Sequence, residues 1–174
     1  MTTSYKEQLR NIRTFFFDVD GVFTDNIVYL MPDGDQVRTA YVRDGYAVQL
    51  AVKKGFLIVI LSGGNSEGVL KRFASLGVQH VFLGVSNKLA AYRRFLVDHR
   101  IDAGHVCYMG DDIPDYEVMQ ECGLATCPAD ATPEIKSVSH YISPYGGGRG
   151  CVRDILEQAL KVQGKWMDDE GKVW

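Results

Sequence analysis

The stretch RTFFFDVDGVFTD, residues 13–25, constrains this chain more than any other feature. Thr14 to Phe17, aromatic and β-branched, read as a strand buried on both faces. The run then meets three acids, Asp18, Asp20 and Asp25, crowded around Gly21. Carboxylates at the end of a buried strand are costly to desolvate unless positive charge meets them there. A strand that is apolar on both sides belongs inside a parallel sheet with helices on either face.

The rest of the chain repeats that theme. TFFFDV (14–19), FLIVILS (56–62), HVFLG (80–84) and HVCYMG (105–110) read as buried strands, and 45–54, 65–76, 87–99 and 114–121 read as helices. In NKLAAYRRFLVDH the helical period puts Leu89, Tyr92, Leu96 and His99 on one face, with Arg93, Arg94 and Asp98 pointing away. This alternation predicts an α/β fold, a Rossmann-like three-layer sandwich with a parallel sheet. One segment breaks the rhythm: residues 22–43 hold two alternating strands around MPDGD, a turn sequence, and predict a β-hairpin projecting just after strand one. Beyond a glycine-rich stretch, SPYGGGRG (143–150), CVRDILEQALKVQ reads as a helix. Residues 164–174 read as a flexible tail, with Trp166 and Trp174 as the residues that could pin it. No repeat or second domain is visible, so 1–174 reads as one domain.

Composition excludes several classes. With 174 residues, 46% hydrophobic, 24% charged and a net charge of −3, the chain is an ordinary globular one. No basic cluster would track a phosphate backbone, which argues against nucleic acid. The first residues, MTTSYKEQLRNIR, have no apolar core of a secretion signal, and no apolar run approaches the roughly 20 residues of a membrane span. The expectation is a cytoplasmic protein without a membrane partner. Cys107, Cys122, Cys127 and Cys151 form no CxxC or Cys/His cluster and read as buried apolar residues in a reducing compartment.

Ligands of open parallel sheets bind at the carboxyl ends of the strands. There the sequence delivers Asp18-Val19-Asp20 from strand one, Ser62-Gly63-Gly64 from strand two, Lys88 after strand three, and Gly110-Asp111-Asp112 with Asp115 from strand four. Each element is bland alone: DxD is common on surfaces, Ser62 suits a helix N-cap, Lys88 a solvated helix face, GDD a turn. Together, in order, at successive strand ends, they are not bland. Residues i and i+2 of a strand point the same way, so Asp18 and Asp20 can face one reaction centre. Carboxylates converging from 18 and 111 call for a hard cation, and Mg²⁺ suits oxygen ligands. Mg²⁺ with a lysine, a hydroxyl and glycine N–H groups suits a phosphoryl group, for which an aspartate is an established covalent acceptor.

DVDGVFTD, LSGG, NK and GDDIPD, in that order across residues 18 to 115, resemble the four motifs of the haloacid dehalogenase-like phosphatases. More narrowly, VRDGYAVQLAVKKG and GGGRGCVRDIL resemble the 3-deoxy-D-manno-octulosonate 8-phosphate (KDO 8-phosphate) phosphatases, and the likeness covers nearly the whole chain. The resemblance implies an Mg²⁺-dependent phosphatase in which Asp18 attacks phosphorus and Asp20 protonates the leaving sugar oxygen, then activates water. It places Mg²⁺ between the Asp18 carboxylate, the Asp20 carbonyl and Asp111, and the phosphoryl oxygens on Ser62, the Gly63 N–H and Lys88. Asp112 and Asp115 would orient Lys88 and metal-bound water. Asp25 is open between a direct role and a turn residue. Arg72 is open between the substrate carboxylate and solvent, and Arg149 between the anionic substrate and a surface loop.

Two lengths carry further expectations. Neither Asp20 to Phe56 nor Lys88 to Asp111 has room for the cap domain found in many members of the superfamily. In the resembled family capless subunits form homotetramers through the hairpin, and a neighbour closes the site. The apolar hairpin segment IVYL suits that role, or packs on its own domain. Many relatives carry Thr-Gly-Arg where this chain has Ser62-Gly63-Gly64, and losing that arginine opens the choice of sugar. A small anionic sugar phosphate, KDO 8-phosphate, is the expected substrate; a nine-carbon homologue is the alternative. The rival readings are a phosphoacceptor receiver domain, disfavoured because the DxD stands on strand one, and a non-catalytic tetramerising scaffold.

Overall fold

The computed structural model describes residues 4–172. Its centre is Thr14–Phe17 (β1), every residue of which is buried. Because side chains alternate along a strand, Phe15 and Phe17 enter the core on one face of the sheet and Phe16 the core on the other. Parallel neighbours flank β1 on both sides, Leu57–Leu61 (β4) and Val106–Met109 (β6), with Phe16 opposite both Val59 and Tyr108. His80–Phe82 (β5), Leu124–Cys127 (β7) and Tyr141–Ile142 (β8) complete a six-stranded parallel sheet in the order β5-β4-β1-β6-β7-β8.

Helices cover both faces. Tyr5–Asn11 (α1), Val42–Lys53 (α2), Glu67–Ser75 (α3) and Cys151–Val162 (α7) supply Leu9, Val48, Phe73 and Ile155 to the core around Phe15 and Phe17. Lys88–His99 (α4), Tyr116–Glu121 (α5) and Pro133–Val138 (α6) supply Tyr92, Phe95, Val118 and Ile135 to the core around Phe16. The three-layer α/β architecture and the parallel sheet are as the sequence predicts, and no cap intervenes between β1 and β4 or between α4 and β6. On α4, Tyr92 and Leu96 are buried as the period requires and Leu89 is half-buried, but His99, expected on the same face, is exposed at the end of the helix; Arg94 pairs with Asp98 in solvent. Among the described residues no helix is long and apolar enough to cross a membrane. All four cysteines are buried and unpaired.

Some boundaries differ for physical reasons. The paired part of the hairpin is only Tyr29–Leu30 (β2) against Gln36–Val37 (β3). Its tip is the expected turn, with Gly34 at φ +89° and its N–H donating to the Met31 carbonyl at 2.9 Å. Val22 to Thr24 are withdrawn from the ribbon because their N–H groups all donate to the Val19 carbonyl, winding a turn at the end of β1. At the other end, Val42 to Asp44 form the first turn of α2. Asp44 is buried there, and its Oδ1 accepts from the Arg153 N–H at 2.7 Å. Gly150 at the start of α7 has no side chain to cap the helix, so an acid from α2 does it. The tail packs back: Trp166 sits edge-on to Tyr46 and beneath the Arg153 guanidinium, and Lys54 pairs with Asp168. Trp174 lies outside the described residues.

Candidate active site

Asp18 continues β1 by one hydrogen bond, its N–H donating to the Met109 carbonyl at 3.0 Å, so its position is fixed by the sheet. The chain then reverses through Gly21, at φ +82°. A Cβ at Gly21 would lie 1.9 Å from Asp111 Oδ2, so both the backbone angle and the close approach of β6's acid demand glycine here. The second acid, Asp20, stands on the same turn.

Lys88, the first residue of α4, is buried between two carboxylates. Its Nζ lies 2.9 Å from Asp18 Oδ2 and 2.7 Å from Asp115 Oδ1. Asp115, fully buried, also accepts from the Tyr108 hydroxyl at 2.6 Å and, through Oδ2, from the Asp111 N–H at 3.2 Å. Asp111 Oδ2 in turn accepts from Asn26 Nδ2 at 2.8 Å. Carboxylate oxygens of Asp18, Asp111 and Asp115 lie within 4.8 Å of one another. Three acids therefore face one ammonium. Burial, and then the charge of Asp115, raise the Asp18 carboxyl despite Lys88. Burial also pushes Asp111 up to about 6, opposed by the Asn26 amide. For Lys88 burial acts downward, but Asp115 and Asp18 outweigh it and hold the ammonium charged. Such a deficit of positive charge, in an all-oxygen donor set, fits a hard divalent cation. Both oxygens of Asp115 are already engaged, so Asp18 and Asp111 are the carboxylates with capacity to spare.

Asp112 behaves differently from its neighbour. Exposed, its Oδ1 accepts from the Ile113 N–H at 2.8 Å and caps the short turn Ile113–Asp115, so it does not orient Lys88. Asp115→Ala is expected to cost on the order of 3–5 kcal/mol, because it leaves a buried ammonium and a buried phenol short of their partner. Asp112→Ala should cost about 1 kcal/mol, the worth of a cap. Urea denaturation of the two variants checks this, and equal losses would refute the division of roles.

Ser62 ends β4, buried, with its Oγ accepting from the Gly64 N–H at 3.2 Å; Gly63 beside it is exposed. Gly64 abuts Asp20, since a Cβ there would lie 3.3 Å from Asp20 Oδ2 and 3.3 Å from Arg38 Nη2. Arg72 points its guanidinium over Gly45 of α2 and lines a cavity of about 300 Å³ between α3 and the return strand of the hairpin. Arg149 reaches Asp25 at 3.4 Å and is otherwise largely in solvent. The glycines before it have a clear part: Gly147 and Gly148 lie on the turn after β1, with the Gly148 N–H donating to the Val22 carbonyl at 2.9 Å. A Cβ at Gly147 would come within 2.0 Å of the Gly21 carbonyl oxygen.

Sequence reasoning passed over Asn26, Tyr108 and Arg38. Asn26 had a weak signal, an asparagine after Asp25 suited to the left-handed conformation it adopts at φ 62°. Tyr108 looks like one more apolar strand residue, and nothing marks Arg38.

No protein-family model matches the chain. The chain is 35% identical over 172 residues to the KDO 8-phosphate phosphatase of Salmonella typhi, which covers 99% of this chain and 92% of that protein. The crystal structure of the Yersinia pestis KDO 8-phosphate phosphatase superposes with a TM-score of 0.89 at 34% identity, covering 92% of this chain and 86% of that one. The Moraxella catarrhalis KDO 8-phosphate phosphatase, solved with a magnesium ion, a phosphate ion and KDO, superposes with a TM-score of 0.88 at 31% identity, covering 91% of each chain. A DxD at the end of strand one, a buried lysine between two acids and a capless parallel sheet agree with these likenesses, which cover nine-tenths of the chain or more: it belongs to the KDO 8-phosphate phosphatases of the haloacid dehalogenase-like superfamily.

Proposed function

We propose that this protein is an Mg²⁺-dependent phosphomonoester hydrolase that converts KDO 8-phosphate and water to KDO and phosphate through an aspartyl-phosphate on Asp18. The observation that carries the reading is the buried Asp18–Lys88–Asp115 array beside Asp111 at the carboxyl edge of the sheet. Ser62, the Gly63 N–H and Lys88 hold the phosphoryl oxygens. The Asp18 carboxylate attacks phosphorus; the ester oxygen leaves with its bonding pair and takes a proton from Asp20. A water molecule then attacks the same phosphorus and returns a proton to Asp20, and phosphate and the Asp18 carboxylate separate. Asp115 keeps Lys88 in place, and Asn26 keeps Asp111 turned inward. The Asp18 carboxylate, the Asp20 carbonyl and the Asp111 carboxylate would hold Mg²⁺, which when bound supplies neutralisation of phosphoryl charge. The bound magnesium, phosphate and KDO of the Moraxella catarrhalis protein support the substrate class. Arg72, at the wall of the cavity, is the candidate contact for the substrate carboxylate, and Gly64 leaves room beside Asp20 and Arg38 where a side chain would stand.

The working form we infer is a homotetramer joined through the hairpin, in the cytoplasm. Ile27 to Met31 are exposed on the hairpin, Leu30 at 76%, an apolar run that water does not favour. Sedimentation should give about four chains per particle, and Leu30→Asp should release subunits and lower turnover.

Phosphate release with and without Mg²⁺ from KDO 8-phosphate, a nine-carbon 2-keto-3-deoxy acid phosphate and hexose phosphates tests the function. A preference for KDO 8-phosphate is the expected result. Preference for the nine-carbon acid moves the substrate and keeps the chemistry, and turnover of nothing supports the tetramerising scaffold instead.

A further inference from the structure

The return strand of the hairpin sends one arginine back to the catalytic edge. Arg38 Nε lies 2.6 Å from Asp20 Oδ1, and its Nη2 donates to Asp20 Oδ2 at 3.0 Å. Its side chain is 8% exposed, and its Nη1 is braced on the Gln36 carbonyl at 2.9 Å. This is a two-point fork that occupies both carboxylate oxygens of Asp20. An Asp20 held in this way has its charge paired and both oxygens engaged, which makes it a poor proton donor to a leaving group.

Arg38 also lines the cavity of about 300 Å³ that Arg72 lines, together with Thr39, Tyr41, Val69 and Phe73. That is room for a sugar acid. One acid, Asp35, also lines it. Among the described residues the half-buried Arg72 guanidinium has no acid or hydrogen-bond acceptor of its own. Two arginines therefore line the cavity, one with its guanidinium already engaged and one waiting, along largely apolar walls.

We propose that Arg38 is a specificity-determining residue that exchanges carboxylate partners: its fork holds Asp20 while the cavity is empty, and moves to the substrate's carboxylate when one enters beside Arg72. This rests on the function proposed above, with Asp20 as the group that serves the leaving oxygen. The Nε/Nη2 edge grips one carboxylate at a time, and the other side of the guanidinium is engaged by the Gln36 carbonyl and side-chain oxygen, so an arriving carboxylate that takes this edge frees both Asp20 oxygens. A phosphate ester without a carboxylate offers nothing to exchange and meets a clamped Asp20. Discrimination then falls on kcat as well as on binding, because the carboxylate completes the catalytic arrangement.

The test compares wild type, Arg38→Ala and Arg38→Lys on KDO 8-phosphate and on glucose 6-phosphate, which has no carboxylate. For KDO 8-phosphate, kcat/KM should fall about 10- to 100-fold in Arg38→Ala, the worth of a charge-assisted pair. For glucose 6-phosphate, kcat should rise several-fold, roughly the gain from releasing a held side chain. Arg38→Lys, with charge and no fork, should fall between. Calorimetry adds a readout without turnover: Arg38→Ala should weaken free KDO about 10-fold or more and leave inorganic phosphate unchanged. Equal losses on both substrates would mean that Arg38 merely steadies Asp20, and unchanged kinetics would mean that it does neither; both overturn the proposal. A wild type that treats the two substrates alike would sink the assigned substrate, while the glucose 6-phosphate kcat of Arg38→Ala and the KDO affinities still decide the exchange.

Discussion

Asp18→Asn is expected to remove turnover of every phosphomonoester, by at least about 10⁴-fold, while the protein folds as before. The neutral amide lacks the negative charge that makes the carboxylate a nucleophile toward phosphorus, and the substitution takes one carboxylate from the set that would hold the cation. The fold should not suffer. Asp18 is buried, and burial together with Asp115 raises its carboxyl above the usual range, so its charge is carried at a cost offset by Lys88. Lys88 keeps its shorter contact, 2.7 Å to Asp115 Oδ1, when Asp18 is neutral. The backbone of residue 18 keeps its bond to the Met109 carbonyl. Urea denaturation of the metal-free variant at pH 8 should therefore give a midpoint equal to or above that of wild type, alongside the kinetic loss. Turnover within tenfold of wild type would eliminate Asp18 as nucleophile; a lost fold would mean that the Asp18–Lys88 contact is structural.

That array was legible because the features that create it are local. A run such as TFFF has one comfortable place in a parallel sheet, and the residue after it must emerge at the carboxyl edge. The same logic carried Ser62 and Asp111 to that edge. Shorter elements escaped. LATC, Leu124–Cys127, is a strand of only four residues whose place is fixed by its pairing with β6, and the two-residue strand Tyr141–Ile142 depends on β7 in the same way. The helix Tyr5–Asn11 had a readable start, since Ser4 and Glu7 form a capping box. Within the site, what stayed hidden were contacts made across the chain. Asn26 meets Asp111 across 85 positions and Arg38 meets Asp20 across 18, and only the folded hairpin brings either pair together. Asp112 and Asp115 look alike in GDDIPD, yet the turn between them directs one to solvent and the other to the ammonium of Lys88.

Removal of the metal should have an equally large effect, and its dependence on pH carries the stronger argument. Chelation should reduce turnover to the background rate, and added Mg²⁺ should restore it. In the metal-free protein Asp111 titrates at about 6 rather than at 3.8, chiefly because it is buried, and Asp18 is raised as well. A folded-state value above the unfolded one means that the folded protein binds the proton more tightly. That contribution is complete below the unfolded value and is lost as pH climbs through about 6, up to about 3 kcal/mol for Asp111 alone. Mg²⁺ takes the ionised carboxylates, so it competes with protons at low pH and replaces the missing positive charge at high pH. The Mg²⁺-induced rise in Tm should thus be near zero at pH 5 and largest at pH 8, where about 100 Kd of free Mg²⁺ gives about 2.7 kcal/mol and about 5–10 °C. Scanning calorimetry in EDTA and in Mg²⁺ at pH 5, 6, 7 and 8 measures it. Asp111→Asn is the control, expected to abolish the Mg²⁺ shift and to flatten the pH dependence in EDTA. A shift of the same size at every pH, or one that survives in Asp111→Asn, would place the cation away from these carboxylates, and the charge deficit at the end of β1 would then need another partner.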